Sequence, residues 1–437
     1  MPKLLSPSSL SAAFPLVVSL AIVPPVSAQS STSVGGLEID ASLTLEVIYA
    51  NRLSGEEGVP AGFGHAHADH GHGHDHDHGH EHGHGGDGGH GHSHALEDGF
   101  NAGHSEIALY ARNDLLEGVA IIGFDDQDVE VEEMYLATRA LPAGLRIKAG
   151  KFLSDIGYAN RRHPHDWSFV ERPLVNQYLF GDHGLLDTGV QVTLTPATSN
   201  YLNFGVELLQ GDGEGIDRYD EGALSSRDSG PRLITAFAKF GPDLGDSHAL
   251  LAGLSTGVAS QYARVDSHGA HNHYIEGDAW FAGVDLMYRY DAGRAYGLGN
   301  WRVGGEYYYT ERDVEAGGSN RARWLSFTER QDGAYVEAVY GFAPRWETGL
   351  RAEALGWNND IVKFHPRALG AEDASYRYAA QVTWRPRETI FLRGQVTHED
   401  YAGVRAHGGE SGIDQHDSWM FMLQLNALFG SHPAHRF

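Results

Sequence analysis

Apolar and polar residues alternate with a period of two along most of this chain. In one such segment Val190, Val192 and Leu194 alternate with Gln191 and Thr193. This period is typical of a β-strand with one apolar and one polar face, whereas patterns with the period of an amphipathic helix are scarce. Sixteen segments of this kind follow one another, near residues 37–50, 104–112, 115–124, 129–141, 144–154, 185–196, 200–210, 231–241, 247–264, 277–291, 299–312, 331–342, 345–357, 374–385, 388–401 and 416–429.

The lengths and connections of these segments separate two all-β folds. A soluble sandwich buries the apolar faces of its strands, but a membrane barrel turns them toward lipid. Most segments hold about ten to fourteen residues, enough to cross a bilayer at a tilt, and aromatic residues such as Trp280 and Trp384 often lie near their ends. Short turns such as Pro142-Ala143 alternate with long loops, and the brief connection 125–128 is the exception.

The pattern therefore predicts an all-β fold, a transmembrane antiparallel β-barrel of about sixteen strands in the bacterial outer membrane. Short turns face the periplasm in such barrels, and long loops face outward. A soluble all-β protein is the alternative. Outer-membrane lipid and the barrel-assembly machinery are the partners that this location implies, and a homotrimer is expected only by analogy with other porins.

Residues 1–28 have the features of a secretory signal peptide. Lys3 is the one charged residue in this stretch, an apolar run extends from Phe14 to Val23, and Val26-Ser27-Ala28 forms a small-x-small cleavage site. We expect cleavage after Ala28, which leaves residues 29–437 as the barrel.

The composition excludes several classes of function. The chain has 58 acidic and 32 basic residues, a formal net charge of −26, and no cysteine. A surface of this sign does not suit binding to nucleic acid, and disulfides and thiolate metal sites require cysteine. The motifs of serine hydrolases, zinc proteases, P-loop and dinucleotide-binding proteins are absent, so we do not expect an enzyme.

The predicted outer loop 54–101 carries a histidine tract. Thirteen of the 27 histidines lie between His65 and His94, among acidic residues and without Lys or Arg. We expect a disordered, solvated loop, because such a segment cannot bury apolar surface. Imidazole and carboxylate ligands suit divalent transition metals, although a low-complexity linker with incidental metal affinity is the alternative. The candidate metal ligands in this loop are His65, His67, His70, His72, His74, Asp75, His76, Asp77, His78, His80, Glu81, His82, His84, His90, His92 and His94.

The predicted third loop, residues 155–184, is too long and too aromatic for a solvated connection. Folding into the lumen would bury its aromatic residues and form a constriction, whereas an outer lid packed by its own aromatics is the alternative. At such a constriction His163, His165 and Asp166 are candidate metal ligands, although two histidines across a proline do not complete a coordination shell.

The block KAGKFLSDIGYANRRHPHDWSFVERPL, the strand DTGVQVTLTP after it, the histidine-rich first loop and the terminal HPAHRF resemble a proteobacterial outer-membrane family. Its members are usually labelled zinc-regulated TonB-dependent outer-membrane receptors, and the resemblance covers most of the chain. It implies a barrel linked to zinc acquisition, with TonB as a partner. A TonB-dependent transporter has about 22 strands and a plug, and neither a plug nor a TonB box is visible here, which favours a porin-like route.

Together these observations predict a channel or receptor that binds a divalent transition metal and admits it to the periplasm. Zn²⁺ is the expected bound and transported ion, with no organic cofactor. Two alternatives stay open: a general porin whose histidine-rich loop is only a metal buffer, and a TonB-linked receptor with a separate energy-coupling mechanism.

Overall fold

The computed structural model describes residues 32–34, 36–56, 58–63, 96–125, 129–268, 271–364, 367–403 and 416–430. Within these residues nineteen strands form one sheet of antiparallel pairs. The strands are β1 (Thr32–Val34), β2 (Leu37–Ser54), β3 (Gly99–Ala102), β4 (Ser105–Arg112), β5 (Leu116–Phe124), β6 (Val129–Thr138), β7 (Leu145–Leu153), β8 (Leu186–Leu194), β9 (Tyr201–Leu209), β10 (Leu233–Gly241), β11 (His248–His268), β12 (His271–Tyr290), β13 (Trp301–Gly317), β14 (Leu325–Ala343), β15 (Trp346–Phe364), β16 (Arg367–Ala371), β17 (Ser375–Arg387), β18 (Ile390–Tyr401) and β19 (His416–Gly430). A short helix, α1 (Leu174–Phe180), lies between β7 and β8. No helix among the described residues is long and apolar enough to cross a membrane.

The sheet closes into a barrel because its last strand pairs with its first long strand. β19 pairs with β2 from Trp419 opposite Ser54 to Gly430 opposite Ser42. We call each strand position around the wall a stave. β3 and β4 lie end to end along β2 and together form one stave, and β16 and β17 both pair with β15 and together form another. β1 is only a hairpin partner of the start of β2. The wall therefore has sixteen staves, which confirms the predicted antiparallel barrel.

The wall exposes apolar side chains on its outer face and buries polar side chains in the lumen, which is the reverse of a soluble protein. In β8, Val190 is 41% exposed on the outer face, whereas Gln191 is 1% exposed in the lumen. In β12, Trp280 lies near one end of the apolar band and Tyr288 near the other, where its ring is 5.1 Å from that of Trp301. An apolar outer band with aromatic rims is the surface that a lipid-facing barrel requires.

Several strands extend farther than the sequence pattern predicts. Tyr262, Ile275 and Val314 pack in a buried apolar cluster within the extensions of β11, β12 and β13. This packing stabilises strand pairs beyond the membrane band, in stretches where many of the neighbouring residues are polar. Three predicted loops are therefore wrong in extent, namely 265–276, 313–330 and 358–373.

Residues 154–185, which we call the inward loop, fold into the lumen. The amide of Tyr158 donates to Glu306 of β13 at 2.9 Å, and the amide of Leu174 donates to Glu353 of β15 at 2.6 Å. In α1 the ring of Phe180 packs 4.9 Å from that of Tyr308 on the wall. The inward loop thus spans the barrel from β7 to the opposite wall and narrows its interior.

Candidate metal centre

β4 and β6, the two strands that pair with β5, carry ionisable side chains at their outer ends. His104 directly precedes β4 and Glu106 is the second residue of that strand. In an extended chain this spacing of two places both side chains on one face of the wall. Glu132 lies near the start of β6. β4 runs toward a short turn and β6 runs away from an outer connection, so these three residues meet at the outer end of the barrel.

A β-bulge in β6 turns two consecutive glutamates toward the lumen. Ile121 of β5 pairs with Glu133, but Ile122 pairs with Val131, so Glu132 is an extra residue in the ladder. Glu132 is 5% exposed and Glu133 is 8% exposed. Regular alternation would direct one of these carboxylates into lipid, so the bulge is the reason that both are available in the lumen.

Gly123 of β5 makes room for the groups on its two neighbours. It pairs directly with Glu106 of β4, and a Cβ atom at this position would collide with the carboxylate of Glu132. The backbones of β4 and β6 are about 10 Å apart, because two strand spacings separate them. Side chains from these strands can meet over β5 because the middle strand carries no side chain there.

His163 reaches the same place from the inward loop. It precedes Pro164 and has an extended backbone, with φ of −76° and ψ of 157°, the region that proline favours for the residue before it. Its imidazole is buried against the wall, and the residue is 6% exposed. The loop thereby adds a nitrogen donor to side chains that the wall supplies.

Donor atoms of His104, Glu106, Glu132 and His163 all lie within 4.8 Å of one another, and we call these four residues the metal centre. His104 Nε2 is 3.1 Å from Glu106 Oε1 and 2.6 Å from Glu132 Oε1. His163 Nδ1 is 3.2 Å from Glu106 Oε1 and 3.2 Å from Glu132 Oε2. Ligand atoms about 2.0 Å from a tetrahedral Zn²⁺ are separated by about 3.3 Å, so three of these four distances are close to the spacing in a zinc shell and the fourth is shorter.

Three of the donor atoms are buried and make no well-aligned hydrogen bond, although each lies close to a group of opposite charge: His104 Nε2, Glu106 Oε1 and Glu132 Oε1. Buried polar atoms are normally hydrogen-bonded, because leaving one unpaired costs about 1–3 kcal/mol. Two imidazole nitrogens and two carboxylates that converge on one point have the arrangement of ligands around a cation.

Glu133 holds the imidazole of His163 from the opposite side. Its Oε1 lies 2.9 Å from His163 Nε2. With Nε2 donating to this carboxylate, Nδ1 faces the other three donors. Metal-binding histidines commonly have such a carboxylate partner, which fixes the orientation of the ring and makes it a stronger ligand.

The charge of the metal centre favours a cation. Burial disfavours the charged form of His163, but the negative charge of Glu106 and hydrogen bonds to Glu106, Glu132 and Glu133 outweigh this effect, so the pKa of His163 lies well above its usual value. A proton and a metal ion therefore compete for Nδ1. Two imidazole nitrogens with two carboxylate oxygens suit Zn²⁺ and related divalent ions, and the two carboxylates balance the charge of the ion.

His165 and Asp166 lie beside the metal centre. The ring of His165 stacks on that of His163 with centroids 5.9 Å apart, and His165 Nδ1 is 3.3 Å from Glu106 Oε1. Asp166 Oδ2 is 3.7 Å from His165 Nε2. Of the three ligands predicted in the inward loop, the structure thus places His163 among the four donors, His165 against Glu106, and Asp166 next to His165.

The candidate ligands of the histidine tract, residues 65–94, lie outside the described residues, and their role stays a prediction. His104, Glu106, Glu132 and Glu133 are not among the ligands predicted from the sequence. Two signals for them exist in the chain: a His-x-Glu spacing at the start of a strand, and two consecutive glutamates that interrupt an alternating pattern.

Comparisons with known proteins agree with this architecture. No family model matches the chain. An uncharacterized protein of Aquifex aeolicus (strain VF5) is 32% identical over 353 residues, which cover 78% of this chain and 70% of that protein. This chain belongs to the same protein family.

Solved structures similar to the barrel include two outer-membrane proteins. In-vitro folded OmpT, an outer membrane protein of Vibrio cholerae, has a TM-score of 0.53 at 13% identity and covers 92% of this chain and 100% of its own. The outer membrane channel DcaP of Acinetobacter baumannii has a TM-score of 0.51 at 11% identity and covers 91% and 99%. The likeness is one of fold: this chain is a porin-like barrel of the bacterial outer membrane, as the alternating pattern predicts.

Proposed function

We propose that this barrel is an outer-membrane channel or receptor that binds a divalent transition metal, with zinc as the preferred ion, and admits it to the periplasm. The observation that carries this proposal is the convergence of four nitrogen and oxygen donors in the metal centre. Its position at the outer end of the lumen, where the inward loop meets the wall, supports the proposal, because an ion that enters from outside passes these donors. The resemblance to zinc-regulated receptors supports zinc as the ion.

In this proposal the histidine tract collects ions at the mouth of the barrel. Its imidazoles and carboxylates bind metal weakly and exchange it, which raises the local concentration above the metal centre. The protein acts by binding and passage, without a catalytic step and without an organic cofactor.

Zinc binding by the purified full chain in detergent tests the role of the metal centre. A second protein that lacks residues 65–94 separates this centre from the tract. In that background His163→Ala should lower zinc affinity by about 100-fold or more, since it removes one of four ligands. His248→Ala is the matched control, because this exposed histidine hydrogen-bonds Tyr288 at 2.6 Å near a short turn and far from the centre. Failure of the tract-less protein to bind one equivalent of zinc would contradict the proposal.

A general porin is the competing function, and the fold likeness to porins favours it. Uptake into proteoliposomes separates the two. A zinc channel admits Zn²⁺ faster than an uncharged sugar that is similar in size to the hydrated ion. In such a channel His163→Ala reduces the zinc flux and leaves the sugar flux unchanged. A general porin admits both at rates that the substitution leaves unchanged. A TonB-linked receptor, the third candidate, shows binding without passive flux.

A further inference from the structure

A cavity of about 320 Å³ lies at the outer end of the lumen and has the metal centre in its wall. His104, Glu132 and His163 line it on one side, and the inward loop and the outer ends of β2, β18 and β19 complete it. Ligand pockets in proteins are roughly 300–1,000 Å³, so the space is larger than one metal ion needs and is sufficient for a small organic molecule.

Arg172 of the inward loop lines the same cavity with unused hydrogen-bond donors. The residue is 7% exposed, and its Nε and Nη1 have no hydrogen-bond partner. Nη2 donates to the carbonyl of His183 at 3.0 Å, and the guanidinium lies 4.8 Å from the ring centroid of Trp167. No carboxylate among the described residues forms an ion pair with Arg172. A buried cation with two free N–H groups is costly unless an anion accepts them.

Arg162 adds a second buried guanidinium to the cavity wall. It is 9% exposed, packs 4.2 Å from the ring centroid of Tyr158, and has no hydrogen-bond partner for Nε. Burial lowers the pKa of Arg172 to about 10, although the charges of Asp182 and Glu132 oppose this effect, so the side chain remains charged at neutral pH. Arg172 and Glu132 line the same cavity.

Several carboxylates of the cavity wall accept hydrogen bonds from neighbouring side chains, and Glu46 accepts from Gln424. Glu171 accepts from Thr397 at 3.0 Å, and Glu399 accepts from Ser418 at 2.9 Å. Asp182 accepts from Gln177 at 3.2 Å. The cavity therefore offers a metal-binding face and an anion-binding face, and the free donors belong to the anion-binding face.

We propose that the cavity binds a small carboxylate together with the metal, so that the protein takes up the ion as a carboxylate complex. This inference rests on the proposed metal-binding function and names the form of its substrate. One carboxylate group of the ligand coordinates the ion as a fifth ligand, which zinc accepts by expanding its shell, and another accepts hydrogen bonds from Arg172 and Arg162. Guanidinium groups suit a carboxylate because their planar fork can donate two parallel hydrogen bonds to it.

Binding of radiolabelled citrate to the purified full chain, with and without Zn²⁺, tests this inference. We expect zinc to increase citrate affinity at least tenfold, and citrate to increase zinc affinity by the same factor, because the coupling is reciprocal. Zinc binding without citrate coupling would overturn the inference and leave the proposed function intact. Absence of zinc binding would overturn both. Equal coupling with inorganic phosphate would overturn the assignment to carboxylates.

Variants of Arg172 locate the citrate subsite. Arg172→Gln should lower citrate affinity in the presence of zinc at least tenfold, while zinc alone binds as well or slightly better, since a nearby positive charge is removed. Arg172→Lys keeps the charge without the fork and should be intermediate. Arg294→Gln, an exposed substitution near a short turn, is the control. Equal loss of citrate and zinc binding in both Arg172 variants would overturn the assignment of this residue.

Discussion

Replacement of Glu133 by glutamine tests the metal centre while leaving all four donor residues in place. Glu133 Oε1 lies 2.9 Å from His163 Nε2 in a buried setting. Glutamine can offer a carbonyl oxygen to the same N–H, so the shape is kept and the negative charge is lost. The hydrogen bond then changes from the charged class, worth about 1.5–3 kcal/mol, to the neutral class, worth about 0.5–1.5 kcal/mol.

This difference of about 1–1.5 kcal/mol predicts that Glu133→Gln weakens zinc binding by about five- to tenfold. Glu133→Ala also removes the acceptor and should weaken binding by up to about 100-fold, as is typical for carboxylate partners of metal-binding histidines. Competition with a chromogenic chelator, in the protein without residues 65–94, measures both values.

Glu130→Gln is the matched control, because Glu130 lies in the same strand but faces His183, with Oε1 and Nδ1 3.5 Å apart. Its zinc affinity should stay within a factor of two. If Glu133→Ala also stays within a factor of two while His163→Ala loses zinc, then Glu133 does not orient the imidazole. If Glu133→Gln, Glu133→Ala and His163→Ala all bind zinc as well as the parent protein, the metal centre is not the binding site.

Four further predictions test the fold and the proposal. Removal of residues 65–94 should slow growth on limiting zinc, and unchanged growth and uptake would exclude a capture role. Gly123→Ala should weaken zinc binding by about tenfold or more by displacing a ligand carboxylate, whereas Gly394→Ala, which meets no atom within 4 Å, should have no effect. Asp217 lies in the loop between β9 and β10, where burial raises its pKa from 3.8 to about 6. Between these two pH values the folded loop therefore binds one proton more than the unfolded loop does. Protection of the amides in this loop from hydrogen exchange, corrected for the intrinsic rate, should therefore fall by at most about 3 kcal/mol through Asp217 as pH rises from about 4 to 6, and Asp217→Asn should reduce this change. Val190→Arg on the outer face should destabilise the barrel in urea titrations by about 2–4 kcal/mol, and a smaller loss would place this position away from the middle of the lipid band.

The barrel could be predicted from the sequence because its strands are specified locally. The alternation around Val190 and Gln191 needs only neighbouring residues to indicate which face is apolar, and sixteen such segments imply closure. The extensions of β11 to β13 could not be predicted in this way. They are stabilised by contacts between distant residues, such as Tyr262 with Ile275 and Val314, within stretches that are otherwise polar.

The metal centre illustrates the limit of sequence reasoning more sharply. The HPHD motif at residues 163–166 directs attention to His163, but the residues that contact it come from β4 and β6. A bulge turns both of the adjacent Glu132 and Glu133 toward the lumen, and a bulge in one strand depends on the register of its partner strand. Gly123 matters only because it lies between the two staves. Each of these features is visible in the chain, but only the folded barrel brings them together.

Several contacts that hold the inward loop lie outside the metal centre. Glu306 and Glu353 accept backbone amides of the loop, and Gln395 accepts the amide of Val170 at 2.9 Å, all on staves far from β4 and β6. His163 is thus positioned by interactions that do not require a metal ion. Binding then spends little free energy on ordering the loop, which is the condition for a pre-organised site. Because these other contacts remain in a Glu133 variant, a change in its zinc affinity reports the loss of the hydrogen bond to His163 rather than the unfolding of the inward loop.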